Sequence, residues 1–201
     1  MTRHLDLGCG TRPRNPYRCD ELHGVDIRAH VAAGVEVRQA NLALQPIPYP
    51  DDHFDSVSAY DFLEHVPRVL PREDALATRF PFVELMNEIW RVLAHGGRLY
   101  ACTPAYPHAA AFQDPTHVNI ITAQTHRYFT RPQLEARMYG FRGDFEVIRV
   151  LPVKAGEFEY EPTASPGLAR RWRLRRRARR GENSHLLWEL RACKDRQPHT
   201  A

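Results

Sequence analysis

The chain has 201 residues, 43% of them hydrophobic and 26% charged. That is long enough to bury a core and unlike a disordered or fibrous chain. No run of about eighteen apolar residues occurs and no secretory leader is visible at the N-terminus, so the reading is one cytoplasmic domain over 1–201. Cys9, Cys19, Cys102 and Cys193 form no CxxC pair, and no His/Cys group has zinc spacing. A disulfide scaffold and a zinc module are thereby excluded, and no metal enters the reading. The net charge is +4, but Arg170–Arg180 holds eight arginines in eleven positions, and removing those eight charges leaves −4. The basic character is therefore local.

In chain order, Leu5–Leu7 is a short apolar strand interrupted by Asp6, followed at once by Gly8-Cys9-Gly10. Arg12 to Asp20 is polar and proline-containing, a poor helix until after Pro16. His23–Ile27 is a second strand, ending in Asp26 and Ile27. Val35–Ala40 alternates as a third strand should. Pro46, Pro48 and Pro50 break the chain before Phe54–Tyr60, a fourth strand. Phe62–Val66 starts a helix that stops at Pro67, with Asp61 placed to cap it. Phe82–Leu93 is an amphipathic helix, with Phe82, Leu85, Met86, Ile89, Trp90 and Leu93 on one face and His95-Gly96-Gly97 as its C-cap. Arg98–Cys102 is a fifth strand. A long polar segment, 103–130, precedes a helix over Arg131–Tyr139. Phe145–Val150 and Leu186–Ala192 are the sixth and seventh strands. Strands alternating with helices predict a doubly wound α/β sheet.

In such sheets ligands bind beyond the carboxyl ends of the strands, where the strand order reverses. Gly8 and Gly10 let the backbone turn tightly and a ligand approach it. Asp26, sixteen residues past Gly10, stands where an acid can accept two ribose hydroxyls. A lone G-x-G is equally consistent with a tight turn. The third glycine of a dinucleotide site is missing, since Arg12-Pro13 follow Thr11, which counts against a pyrophosphate-bearing cofactor such as a nicotinamide dinucleotide.

Four segments carry a family resemblance. Leu5-Asp6-Leu7-Gly8-Cys9-Gly10 resembles the first motif of class I S-adenosylmethionine-dependent methyltransferases, of the type 11-like subset. Pro48–Asp55, Leu63-Glu64-His65-Val66 and Glu88–Leu99 resemble later segments of the same family, in the same order. The resemblance covers roughly residues 4–103. It implies a Rossmann-like, seven-stranded, mostly parallel sheet with helices on both faces, S-adenosylmethionine as cofactor, and methyl transfer. It also implies that Asp6, Gly8, Cys9 and Gly10 line the methionine part and that Asp26 and Ile27 sit at the ribose. Asn41 and Leu42 would stand beside adenine, and Tyr60 and Asp61 would face the sulfonium. Asn41 departs from the acid usual in the family, though its amide can pair with an adenine edge. The N-terminal helix that often covers this site in the family is not expected, and the 103–130 segment is the expected lid.

Methyl transfer needs an aligned nucleophile and, for a hydroxyl acceptor, a base. Three residues are candidates: His65, and Asp114 with His117 in the Asp-Pro-Thr-His turn, which resembles a segment seen in a glycan-linked subset of these enzymes. Asp114 and His117 are equally readable as structural residues that cap the turn and fix the loop, and His65 reads first as a helix residue that ties neighbouring loops together. Tyr106 and His108 are read as loop residues. The arginine run, inside an insertion at about 162–182, is a solvated face, a surface for anionic lipid, or a nucleic-acid contact. The leading acceptor class is a small molecule or a glycan or lipid-linked compound. The alternatives are RNA bound through Arg170–Arg180, and a non-catalytic S-adenosylmethionine-binding module.

Overall fold

The computed structural model describes residues 1–29, 34–72, 77–156 and 167–194. Residues 162–166, at the front of the expected insertion, lie outside them. The strands are β1 (Arg3–Leu7), β2 (Glu21–Asp26), β3 (Glu36–Gln39), β4 (Phe54–Tyr60), β5 (Leu70–Pro71), β6 (Thr78–Arg79), β7 (Leu93–Pro104), β8 (Phe145–Val153) and β9 (His185–Ala192). The helices are α1 (Pro81–Val92) and α2 (Leu168–Arg179). Strands β5 and β6 form a small antiparallel pair. The other seven build one sheet in the order β3-β2-β1-β4-β7-β9-β8. Pairings from β3 to β7 are parallel, and β9 runs antiparallel to both β7 and β8. The order reverses between β1 and β4, so the loop after β1 opens at the switch point.

Side chains alternate across a strand, and here the alternation separates two unlike faces. Leu5, Leu7, Val57, Ala59, Leu99, Ala101, Trp188 and Leu190 share one apolar core. Against it α1 lays Phe82, Leu85, Met86 and Ile89, the stripe that its spacing predicts. The opposite face carries His4, Asp6, Ser56, Ser58, Tyr60, Tyr100 and Glu189, all buried. The coil before β2 covers it through Tyr17, which donates to Glu189 Oε1 at 2.7 Å, and from β8 Arg149 donates to Oε2 at 2.6 Å.

The sheet is the one expected, with thinner helical cover. Residues 8–20 form turns instead of a helix, and Pro13 and Pro16 remove donors that a helix would use. The helix expected over 62–66 is a single 3-10 turn, Leu63–His65. Pro67 forces Val66 into the extended region, ψ 118°, and ends it. The helix expected over 131–139 shrinks to a 3-10 turn, Glu135–Tyr139, because Leu134 sits left-handed at φ 47°. Finally, α1 ends at Val92 and passes straight into β7, so Gly96 and Gly97 are no helix cap. They lie where the β4–β7 register slips. A Cβ on Gly97 would stand 2.9 Å from the Ala94 carbonyl oxygen, so the glycine permits the kink.

Candidate functional site

The loop after β1 is held from below and from the side. Gly8 N donates to Val25 O at 2.8 Å, and Gly10 N to Asp26 Oδ2 at 2.9 Å. Under the loop runs a buried polar chain. Ser58 donates to Asp6 Oδ1 at 2.6 Å, and Arg14 N donates to Asp6 Oδ2 at 2.8 Å. His4 bridges Ser58 Oγ (2.8 Å) and Ser56 Oγ (2.7 Å). Burial pushes the Asp6 carboxyl up to about 7, against the lowering effect of Ser58 and Arg14 N. Burial also pushes His4 down to about 3. Through these bonds Asp6 ties the end of β1 to β4 and to the segment that follows the loop.

Gly8 and Gly10 have left-handed backbones, φ 62° and 53°. A Cβ on Gly8 would stand 2.6 Å from the Phe62 ring, whereas one on Gly10 would meet nothing within 4 Å. The loop is therefore clamped at Gly8 and open above Gly10. Gly8→Ala combines a left-handed alanine with that collision, and unfolding by denaturant should show a loss of about 2 kcal/mol. Wild-type stability in that variant would refute the clamp. Cys9 is buried over Gly24, whose own Cβ would stand 2.6 Å from Cys9 Sγ. Burial pushes its thiol up to about 12, so it is packing and no nucleophile.

Asp26 accepts from Gly10 N and, on Oδ1, from Arg28 N at 2.9 Å. Its partial burial acts to raise it, but Arg28 N, Gly10 N and the Arg28 guanidinium outweigh that and hold the carboxyl below its usual range. Ile27 beside it is exposed. Asn41 Oδ1 accepts from Ala43 N at 3.1 Å, so its carbonyl serves its own turn. Leu42 is buried in the apolar core. Tyr60 is buried, with the Arg14 guanidinium 4.6 Å above its ring. Asp61 does not cap the turn that follows. The cap position is Phe62, and Asp61 Oδ1 instead pairs with His185 Nε2 at 2.9 Å. Arg14, Tyr60, Asp61, Cys102, Gly156 and His185 line a cavity of about 90 Å³ at the carboxyl ends of β4 and β7. Larger hollows of 580 and 520 Å³ flank α1, and neither touches residues 5–11.

The second group of candidates converges as well. Val118 N and Asn119 N both donate to Glu64 O at 2.9 Å, pinning the 114–119 turn to the 3-10 turn after β4. Asn119 Nδ2 reinforces this by donating to Leu63 O. His65 and His117 then stack edge to face, 4.9 Å between centroids, and His117 Nε2 lies 3.9 Å from Glu64 Oε1 and 4.0 Å from Asp114 Oδ2. Thr116 donates to Asp114 Oδ1 at 2.6 Å, which holds Asp114 below its usual range. Glu64 is buried, and that burial raises its carboxyl in spite of the hydrogen bond from Thr103. His108 caps its own 3-10 turn, in line with a loop role.

His65, Asp114 and His117 are therefore one cluster, and Asp6, Gly8, Cys9, Gly10 and Asp26 another; Phe62, on Gly8, starts the turn that leads to the first. Sequence reasoning missed three members. Glu64 entered only as part of a motif, Arg14 sat in a stretch without periodicity, and His185 heads a strand read from Leu186 onward.

A family model described as a methyltransferase domain matches residues 2–149. The chain belongs to that family and is an S-adenosylmethionine-dependent methyltransferase. Among solved structures, it resembles a chain of the Haloferax volcanii complex between the Trm112 methyltransferase activator and a methyltransferase, with TM-score 0.58 and 14% identity over 96% of this chain and 83% of that one. The [4+2]-cyclase SpnF gives 0.54 and 19% over 96% and 74%. An S-adenosylmethionine-dependent methyltransferase of Archaeoglobus fulgidus gives 0.54 and 14% over 94% and 86%. At these identities the likeness is one of fold, and the cyclase shows that the fold serves other chemistry too. No curated protein sequence matches the chain. Among the described residues, no helix is long and apolar enough to cross a membrane.

Proposed function

We propose that the protein transfers a methyl group from S-adenosylmethionine on the 8–10 loop to an oxygen of a small-molecule, glycan or lipid-linked acceptor held against the 103–130 segment. The observation that carries this is the convergence of His65, His117 and Asp114 on the turn after β4, beyond the same strand ends as the loop. In this reading Asp26 takes the ribose hydroxyls, with the Ile27 side chain beside it. The Gly8, Cys9 and Gly10 backbone meets the methionine part, and Asp6 holds Arg14 and the loop in place. Asn41, over Leu42, lies on the adenine side; Tyr60 and Asp61 lie toward the sulfonium. His65, Asp114 and His117 orient the acceptor or take its proton.

One observation favours a polyanionic acceptor such as RNA as a second reading. On α2, Arg171, Arg173, Arg175, Arg176 and Arg179 are exposed beside an exposed Trp172. Gly156 and His185, on either side of that segment, line the cavity at Asp61. Both readings are tested with S-adenosylmethionine labelled in the methyl group, offered with hydroxylated sugars, lipid-linked sugars or total RNA. Label in a sugar fraction is the expected result. Label in RNA alone, with binding that falls by orders of magnitude between about 50 and 200 mM salt, would overturn the first reading in favour of the second.

A further inference from the structure

The Glu64, His65 and His117 cluster has the chemistry of a cation site. One potential ligand atom from each lies within 4.8 Å of the others. Donors about 2.0–2.2 Å from a tetrahedral ion stand about 3.3–3.6 Å apart, so side-chain shifts of about an ångström close the set. The hydrogen bonds leave the right atoms bare. Thr116 Oγ1 spends its proton on Asp114, so at 2.9 Å His65 Nδ1 must donate to it, and Nδ1 also faces the Thr116 carbonyl at 3.3 Å. His117 Nδ1 faces the Ala111 carbonyl at 3.3 Å and must donate there. With Nδ1 so engaged, it is Nε2 of each ring that is left to hold an ion, the arrangement in which outer oxygens orient metal-binding histidines.

The carboxylate supplies the second observation. Glu64 is 1% exposed; Thr103 satisfies Oε2 at 2.6 Å, while Oε1 has no hydrogen-bond partner. Oε1 faces His117 Nε2 across 3.9 Å. Oε1 thus stands buried and without a hydrogen-bond partner opposite His117 Nε2, and a cation between them would satisfy both atoms. We infer that Glu64, His65 and His117 bind a divalent transition-metal ion of the zinc or manganese type, with Asp114, 4.0 Å from His117 Nε2, able to join as a fourth ligand. Two imidazoles and a carboxylate suit zinc best, since imidazole favours zinc over magnesium or calcium, which prefer all-oxygen sets. Three protein ligands leave positions open for water or an acceptor oxygen. Use of the ion on an acceptor rests on the transfer reading above; its binding does not.

The test is calorimetric titration of metal-stripped full-length protein with Zn²⁺ or Mn²⁺ alone. One ion per chain is expected, with affinity falling at least about 100-fold in His117→Ala and in His65→Ala, since loss of even an outer partner costs about 10- to 100-fold. Should the His117 variant fail to fold, His65 still decides the matter. Absence of stoichiometric uptake by wild type, or equal affinity in folded His65→Ala, overturns the inference. S-adenosylhomocysteine is titrated in parallel. Ion binding without nucleoside binding sinks the cofactor placement alone, and the reverse sinks the metal site alone.

Discussion

Asp26→Ala is expected to weaken S-adenosylhomocysteine binding about 100-fold, or about 3 kcal/mol, in calorimetry. Two losses add up. The ribose hydroxyls would lose a charged acceptor, and hydrogen bonds to charged groups contribute about 1.5–3 kcal/mol. The loop would also lose its side tether, because Gly10 N and Arg28 N both donate to this carboxylate. Asp26→Asn should fall between the two, retaining one oxygen without the charge. Thermal unfolding of the same variants separates a loosened loop from an unfolded chain. If folded Asp26→Ala binds as tightly as wild type, the ribose does not sit at the end of β2, and the placement of the whole cofactor fails with it.

The sheet was legible because its signals are local. Strands near Leu5, Phe54 and Leu186 carry apolar residues at strand spacing, and the stripe of α1 repeats at helical spacing. The glycine loop was legible for the same reason, since seven consecutive residues specify its shape. The acceptor side was legible only in pieces. His65 and His117 are named by the sequence, but 52 positions separate them, and no spacing rule brings them together. That is done by Val118 N and Asn119 N on the Glu64 carbonyl, backbone bonds that carry no side-chain signature. The same cause hid His185, whose partner Asp61 is 124 residues away. The helices over 62–66 and 131–139 failed for a different reason. Composition favoured them, but Pro67 and the left-handed Leu134 decided the backbone.

The buried chain from Ser56 through His4 and Ser58 to Asp6 makes a thermodynamic prediction that neither residue makes alone. Asp6 is raised from 3.8 to about 7 in the folded protein. Between those values the native state holds a proton that the unfolded state has released, so this group's contribution is complete below pH 3.8 and is lost as pH rises through about 7. His4 is lowered from 6.5 to about 3. Between those values the unfolded state holds the extra proton, so its contribution is complete above pH 6.5 and is lost as pH falls toward 3. From about pH 4 to 6.5 the two slopes cancel. Folding moves a proton from the imidazole to the carboxyl with no net uptake, and the serine hydroxyls can reverse direction to suit. Breaking one half should expose the other. Relative to wild type, His4→Gln should lose stability with rising pH by about 1.4 kcal/mol per unit, hence about 3 kcal/mol between pH 4.5 and 6.5, while Asp6→Asn should gain with the opposite slope. Urea unfolding at the two pH values measures this, and every other titrating group contributes equally to the three proteins. Parallel pH profiles for wild type and both variants would mean that Asp6 and His4 titrate in the folded protein as they do unfolded. In that case the chain beneath the loop would be a solvated contact with no hold on the proton.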